Sequence, residues 1–323
     1  METVVDLSII IASYNTKELL RDCLESIYLN TREISYETIV VDDCSTDGSS
    51  DMVRDLFPQV RLICNPTNLR YVKTNNVGLH AAVGRYGLLL NSDVKVQPYA
   101  FDVLVRFMDE HPDAAAAGTK LINPDGSVQH CIRNFTGMFT MFLQTINIHK
   151  IWPNNPLTNH YYNMDFDYDK VQTIQHIGTT SFIIRRSIWE QYGMLDERFE
   201  QFMGDFAYCR MLGQNQLKIY YVPDAVVMHY GSQSINQSGL KQIRALHAAI
   251  KKYYDIYDAP RHNVLMRFFV RAGIWGRLHL KVIEFNLSRD KRVITGPGAP
   301  ALPPNKMDSK EKRFVQDGGH EEK

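Results

Sequence analysis

The sequence predicts an α/β protein: a mostly parallel sheet with helices on both faces, extended by C-terminal helices. Two observations carry this. First, short β-branched or leucine-rich runs alternate with stretches of helical periodicity through the first 91 residues, the pattern of parallel strands joined by crossover helices. Second, polar residues recur just past the carboxyl ends of those runs, namely Asn15, Asp42, Asp43 and Asp93. That edge is where open α/β sheets bind ligands.

Each element has its own signal. Val5–Ala12 (VDLSIIIA) is a continuous apolar run, as expected of a strand buried on both faces. Ser13-Tyr14-Asn15 is a polar loop. From Thr16 onward, Leu19, Leu20, Cys23, Leu24, Ile27 and Tyr28 share one helical face. ETIVVDD is a second strand ending in Asp42 and Asp43. CSTDGSSDMVRDLF supplies a Gly- and Ser-containing turn and a short helix, and VRLICN is the third strand. TNNVGLHAAVG reads as a helix closed by Gly84, a favoured C-terminal cap residue. RYGLLLN is the fourth strand and runs into Asn91-Ser92-Asp93. Alone, that tripeptide is turn chemistry, because all three side chains bond their own backbone. Beside three other polar residues at strand ends it indicates a ligand.

A second half begins near Gly118. Pro124-Asp125-Gly126 marks a turn. Residues 136–169 are rich in Asn, Tyr and Pro with weak periodicity, fitting either an acceptor loop or an insertion. QTIQHIGTTSFIIRRSIWEQYG gives strand, glycine turn, strand and short helix, and AVVM is a further strand ending near His229. Trp152, Trp189 and Trp275 read as packing residues, with Trp152 also a candidate for stacking on a sugar.

Composition excludes several classes. Lys plus Arg equals Asp plus Glu at 36 each, so no overall field points to nucleic acid. Five scattered cysteines without CxxC spacing argue against a zinc site or disulfide framework and fit a reducing compartment. No charged-then-apolar leader opens the chain and no run of 18 uncharged apolar residues follows, so the expected location is cytoplasmic, peripheral on the inner face of the cell membrane. GxGxxG and GxxxxGK[ST] are both missing. Binding must therefore use carboxylates and amides, not a glycine-rich phosphate loop.

IIIASYN, VVDDCSTDGS, LLLNSD, KLINPDGSVQ, GMLDERF and YVPDAVVMHYGSQS, in this order and spacing, resemble an inverting family 2 glycosyltransferase of the rhamnosyltransferase-like subgroup. The similarity runs from about Leu7 to Ser234. It implies a GT-A fold on one continuous sheet. A Rossmann-like nucleotide-binding half would cover about 1–117 and an acceptor half about 118–235, followed by C-terminal helices over 236–287 and a disordered tail over 288–323. It also implies a nucleotide-sugar donor (a UDP- or dTDP-sugar), Mg²⁺ or Mn²⁺, and a glycan or lipid-linked glycan acceptor in cell-surface polysaccharide synthesis.

The resemblance assigns roles residue by residue. Ala12, Tyr14 and Asn15 match the loop covering the nucleotide, and Asp42 or Asp43 the acid that pairs with the base. Asn76 and Asn91 are further nucleotide-binding candidates. Asn91-Ser92-Asp93 matches the DxD-like motif, which makes Asp93 a metal ligand, with His229 as a second. Gly178-Thr179-Thr180 lies where the family places a loop near the donor sugar. Arg185 and Arg186 either reach diphosphate or form a solvated pair at a helix start. Asp205 falls where the general base sits, to take the acceptor hydroxyl proton. Three positions depart from the pattern. Gly204 and Ala207 stand where the family has acids beside Asp205, and Arg70 stands where it has Gly. These departures keep open a catalytically weakened donor-binding scaffold of a glycan-assembly complex. A nucleotidyltransferase on a similar sheet is a third reading.

The C-terminal stretch 264–285 is apolar but interrupted. On a helical wheel Arg267, Arg271, Arg277 and Lys281 cluster opposite Leu265, Phe269, Ala272, Leu280 and Ile283. That suits a helix lying in a membrane interface, or one packed on the rest of the protein with its basic stripe exposed.

Overall fold

The computed structural model describes residues 5–135, 156–231 and 239–287. Its first half runs β1 (Leu7–Ser13), α1 (Lys17–Asn30), β2 (Tyr36–Asp42), α2 (Ser49–Leu56), β3 (Arg61–Cys64), α3 (Arg70–Ala81), β4 (Tyr86–Asn91), β5 (Val94–Val96) and α4 (Ala100–Glu110). The second half adds β6 (Ala114–Ile122), α5 (Pro156–Tyr162), β7 (Gln172–Ile174), β8 (Ser181–Arg185), α6 (Arg186–Tyr192), α7 (Gly204–Gln214), β9 (Lys218–His229), α8 (Gly239–Tyr257) and α9 (Val264–Leu287).

The strands form one sheet in the order β3-β2-β1-β4-β8-β6-β9-β5, with β7 also paired to β9. The period of two along β1 shows why helices cover both faces. Leu7, Ile9 and Ile11 join one core with Leu20, Leu24 and Ile27 of α1 and Phe101 and Leu104 of α4. Ile10 points the other way, into a second core with Val72 and Leu79 of α3, Trp189 of α6 and Tyr208 of α7. Ile9, Ile10 and Ile11 are fully buried, each worth about 1.5–3 kcal/mol of transfer free energy.

The parallel expectation holds for the first four strands, where β1 pairs with β2 and β4, and β2 with β3. Beyond β4 the sheet is mixed. β8 runs antiparallel between β4 and β6, β9 is parallel to β6, and β5 and β7 pair antiparallel with β9.

Three expectations change. The third helix ends at Ala81, so Gly84 is not its cap. A Cβ on Gly84 would lie 2.6 Å from the Ser8 nitrogen, so glycine is needed there because β1 passes against it. Trp189 is buried as expected, but Trp275 is 64% exposed and is not a packing residue. Arg185 pairs in register with Tyr86 at the start of β4, at the opposite edge from Asn91. Its guanidinium donates to the Ala114, Met108 and His111 carbonyls at 3.2, 2.8 and 3.2 Å, and Arg186 pairs with Glu190 at 2.7 Å. The first therefore caps the end of α4 and the second is a surface pair.

The C-terminal helices form a hairpin. α8 buries Tyr253 against the second core, and Arg210 of α7 pairs with Asp258 at 2.8 Å. α9 folds back on α8 with Val270 buried beside Tyr254 and Ala259. Arg267, Arg277 and Lys281 are half-buried, and Arg271 pairs with Asp255 of α8 at 2.9 Å. The face left in water is the apolar one: Val264, Leu265, Phe268, Phe269, Trp275, Leu280, Ile283 and Leu287 are each more than half exposed. The arrangement with an exposed basic stripe is thus not the one adopted. Among the described residues no helix is long and apolar enough to cross a membrane. Trp152 and the tail from 288 lie outside the described residues.

Candidate active site

Register brings the first set of residues together. Ser13 is opposite Asp42, and Ala12 is opposite both Val41 and Asn91, so the loops after β1, β2 and β4 leave the sheet side by side. Asn15 ties two of them. Its amide N donates to Ser45 Oγ at 2.9 Å and its Oδ1 accepts the Thr46 N–H at 2.8 Å. Thr16 Oγ1 lies 3.1 Å from Ser13 Oγ and 2.9 Å from Ser92 Oγ, a buried hydroxyl chain linking the first loop to the Asn91-Ser92-Asp93 turn. Tyr14 stands exposed at the rim.

The two adjacent acids after β2 are not equivalent. Asp43 Oδ1 accepts Asn65 Nδ2 at 2.9 Å and the Leu69 N–H at 2.8 Å, and its Oδ2 accepts the Arg70 N–H at 3.0 Å. It is a structural clamp on the start of α3. Asp42 Oδ2 accepts the Ser45 N–H at 3.0 Å, while Oδ1 is buried without a hydrogen-bond partner among the described residues. A buried carboxylate oxygen left this way suits an incoming donor. Asn76 is not brought to this edge. Buried within α3, it donates to the Leu195 carbonyl and Glu197 Oε1 at 2.9 and 3.0 Å and accepts the Leu195 N–H at 3.1 Å. All of its polar atoms serve to hold the 195–197 segment.

Asp93 and His229 meet through the sheet. The short β5 pairs Val94 directly with His229 at the end of β9, and the Tyr230 N–H donates to the Asp93 carbonyl at 3.0 Å. His229 Nε2 then lies 3.3 Å from Asp93 Oδ1. Gln129 fixes the ring. Its Nε2 donates to Asn123 Oδ1 and to the His229 carbonyl, both at 2.8 Å, so its Oε1 faces His229 Nδ1 at 3.0 Å and accepts a proton from it. In the neutral form of the ring Nε2 then carries the lone pair, and that buried atom makes no hydrogen bond among the described residues. A carboxylate beside an imidazole lone pair is a donor set that fits a divalent ion completing its shell with substrate phosphates and water. No group of three His, Cys, Asp or Glu is gathered this way among the described residues.

Asp205 opens α7 from the other side of the edge. It lines a cleft of about 170 Å³ with Tyr71, Thr179, Leu195, Phe202 and Leu246. α3 holds this wall, because the Val72 N–H donates to the Glu200 carbonyl at 3.0 Å. Asp205 Oδ1 accepts the Phe206 N–H at 2.8 Å, and Oδ2 lies 3.3 Å from His176 Nε2. The neighbouring acids are committed: Asp196 pairs with Arg198 at 2.6 Å and Glu197 accepts from Asn76. Tyr71 spans the two sides. Its hydroxyl donates to Asn91 Oδ1 at 2.8 Å and lies 2.9 Å from Thr179 Oγ1. Burial drives its pKa well above the ordinary phenol value, against the Thr179 hydrogen bond and with the charges of Asp205 and Asp93 reinforcing it. The Gly178–Thr180 loop stays beside Asn91 because the Asn91 N–H donates to the Thr180 carbonyl at 3.0 Å.

Backbone strain gathers at the same edge. Asn15, Cys44, Arg70 and Met203 adopt left-handed φ of 52, 66, 73 and 68° without being glycine. Such conformations cost of order 1–3 kcal/mol for most residues and concentrate where a loop must aim groups at a ligand. Tyr71, Gln129 and His176 are site residues that sequence reasoning missed. Tyr71 lies in the departing NLRY stretch and His176 just before the Gly178 loop, so proximity to motifs is the one signal that pointed to them.

Comparison with known proteins gives the family and the fold. The family model described as Glycosyl transferase family 2 matches residues 8–193. An N-acetylglucosaminyl-diphospho-decaprenol L-rhamnosyltransferase of Mycobacterium tuberculosis is 27% identical over 301 residues, covering 88% of this chain and 95% of the relative. The O-antigen biosynthesis protein RfbC of Myxococcus xanthus is 26% identical over 70% of this chain but only 17% of its own length. Among solved structures, GalNAc-T7 with UDP, GalNAc and Mn²⁺ superposes with a TM-score of 0.55 at 15% identity, over 90% of this chain and 59% of that one. S. aureus TarS 1-349 gives 0.50 at 18%, over 88% and 73%. These two share the GT-A fold. With its family match spanning more than half its length, the chain belongs to glycosyl transferase family 2 and is a nucleotide-sugar-dependent glycosyltransferase.

Proposed function

We propose that this enzyme transfers a sugar, with inversion, from a UDP- or dTDP-sugar to a lipid-linked glycan acceptor in cell-surface polysaccharide synthesis. One observation carries the reading: Tyr71 lines the cleft of Asp205 and donates to Asn91, two residues before the Asp93 that meets His229. In this reading Asp42 accepts a hydrogen bond from the base, and Ala12, Tyr14 and Asn15 line the nucleotide. Asp93 and His229 would hold Mg²⁺ or Mn²⁺, which would supply positive charge against the departing diphosphate. The acceptor hydroxyl oxygen bonds to the anomeric carbon as its proton passes to Asp205, and the bond from that carbon to the diphosphate oxygen breaks. The products are the glycoside and the nucleoside diphosphate, with the proton released later from Asp205. The acceptor class follows the name of the mycobacterial relative, and the exposed apolar face of α9 supports it.

The test is a transfer assay on lipid-linked acceptors after a thermal-shift panel of UDP- and dTDP-sugars, an L-rhamnosyl donor included, with and without Mn²⁺. Metal-dependent stabilisation by one donor, followed by turnover, is expected. Stabilisation without turnover on any acceptor would favour the donor-binding scaffold instead. For location, replacing Phe268, Phe269 and Trp275 with Ser should release the protein from vesicles. Salt should release little, because Arg271 and Lys281 already have acidic partners in the fold. Retention of the triple variant would remove α9 from the membrane reading.

A further inference from the structure

We infer that His176 is a positioning residue for Asp205, taking the place of the acids missing at Gly204 and Ala207; this rests on the reading of Asp205 as general base. The two positions are filled by packing. A Cβ on Gly204 would lie 2.6 Å from Val72 Cγ2, and Ala207 is 1% exposed within the second core. A side chain at Gly204 would have to displace Val72, and one larger than alanine at position 207 would have to enter the packed core. The company of Asp205 is instead an imidazole, 3.3 Å away at Nε2.

The ring is held on two sides and the backbone by a third contact. It stacks on Phe206 with centroids 3.7 Å apart and planes at 24°, and Phe135 meets it edge-on at 6.4 Å. Its backbone carbonyl accepts the Arg133 N–H at 3.2 Å. The proton location follows from burial. His176 Nδ1 is buried and has no hydrogen-bond partner among the described residues. A buried N–H without an acceptor costs more than a buried lone pair without a donor. The neutral ring therefore carries its hydrogen on Nε2, aimed at Asp205 Oδ2. With the Phe206 N–H on Oδ1, the carboxylate has a donor on each oxygen. Those donors fix its plane and leave the outer lone pairs to face the cleft.

The variants His176→Phe and His176→Gln separate positioning from packing. Phe keeps the stack on Phe206 and removes the donor, whereas Gln removes the ring and restores an N–H near Nε2. Each is compared by melting temperature, donor affinity by calorimetry, and steady-state transfer, alone and on an Asp205→Asn background. His176→Phe should lower kcat about tenfold with donor affinity and donor KM unchanged. His176→Gln should recover to within about threefold, and His176→Phe should cost nothing further in the Asp205→Asn enzyme. Wild-type kcat in a folded His176→Phe enzyme, or an equal loss with and without Asp205, overturns the inference while leaving the base assignment standing. If His176→Phe does not fold, His176→Gln decides alone: near-wild-type kcat supports a donor role and a tenfold loss overturns it. Wild-type turnover in Asp205→Asn overturns both.

Discussion

The two flanks of the site are built differently. On the β1–β4 flank every group leaves the end of a parallel strand, and its neighbours are fixed by register. Asp42, Asn91 and Ala12 align because their strands do. On the other flank Asp205 comes from the first turn of a helix, His176 from a loop, and His229 from a strand that meets β5 antiparallel. The first flank is positioned by the sheet, and the second by side-chain contacts such as Gln129 with His229 and His176 with Asp205. Substitutions should therefore change chemistry without changing the fold where the side chain faces the cleft, and change the fold where it serves as a clamp.

Asp205→Asn is the strongest test of that division. It keeps size but cannot take the proton, so turnover should fall about 10²–10⁴-fold with donor affinity retained, measured by steady-state transfer and calorimetry. Near-wild-type turnover would send the search to Asp196, Glu197 or Glu200. Asp93→Asn should come next. Mn²⁺-dependent donor affinity should drop about 10–100-fold with the melting temperature preserved, and unchanged Mn²⁺ dependence would refute the ligand role. The adjacent acids sharpen the contrast within one flank. Asp43→Asn should cost about 2–3 kcal/mol in denaturant unfolding, because two backbone N–H donors and one amide lose a charged acceptor. Asp42→Asn should leave stability within about 1 kcal/mol but weaken donor binding roughly tenfold, about 1.4 kcal/mol. If the two variants exchanged phenotypes, the assignment would be reversed.

The smallest effect concerns Asp196. Burial works against its charge, but hydrogen bonds from Arg198 and Tyr257 hold its pKa below the ordinary 3.8. A carboxyl depressed on folding stabilises above its unfolded value and loses that contribution as pH falls through the folded value. Arg198 is 55% exposed, so Arg198→Gln should cost under about 1 kcal/mol at neutral pH. The difference from wild type should vanish as pH drops below 3.8. A gap that widened in acid would contradict the sign.

The fold of the β1–β4 flank was legible because buried parallel strands and amphipathic helices have distinct periods, and because strand ends carry the polar residues. Which of Asp42 and Asp43 faces a ligand was not legible. That depends on where Leu69 and Arg70 place their N–H groups, more than 25 residues away. Asn76 was misplaced for a similar reason, since its partners lie 119 and 121 residues on. The roles proposed for Asp205 and His229 come from the resemblance and not from pattern, because neither leaves a parallel strand of the first half. His176 carried no local signal, as its meaning comes from a contact across 29 residues. The helical period of α9 was correctly read, but which face meets α8 is decided by Val270 and the Arg271–Asp255 pair.

The outward face of α9 also has a colloidal consequence. Eight large apolar side chains in water forgo roughly 1 kcal/mol or more each of transfer free energy. The chain's formal net charge is zero at pH 7, so no long-range repulsion keeps two such faces apart. Light scattering should therefore show self-association that rises with concentration in plain buffer. Mild detergent, by occupying Phe268, Phe269 and Trp275, should restore single particles at the same concentration.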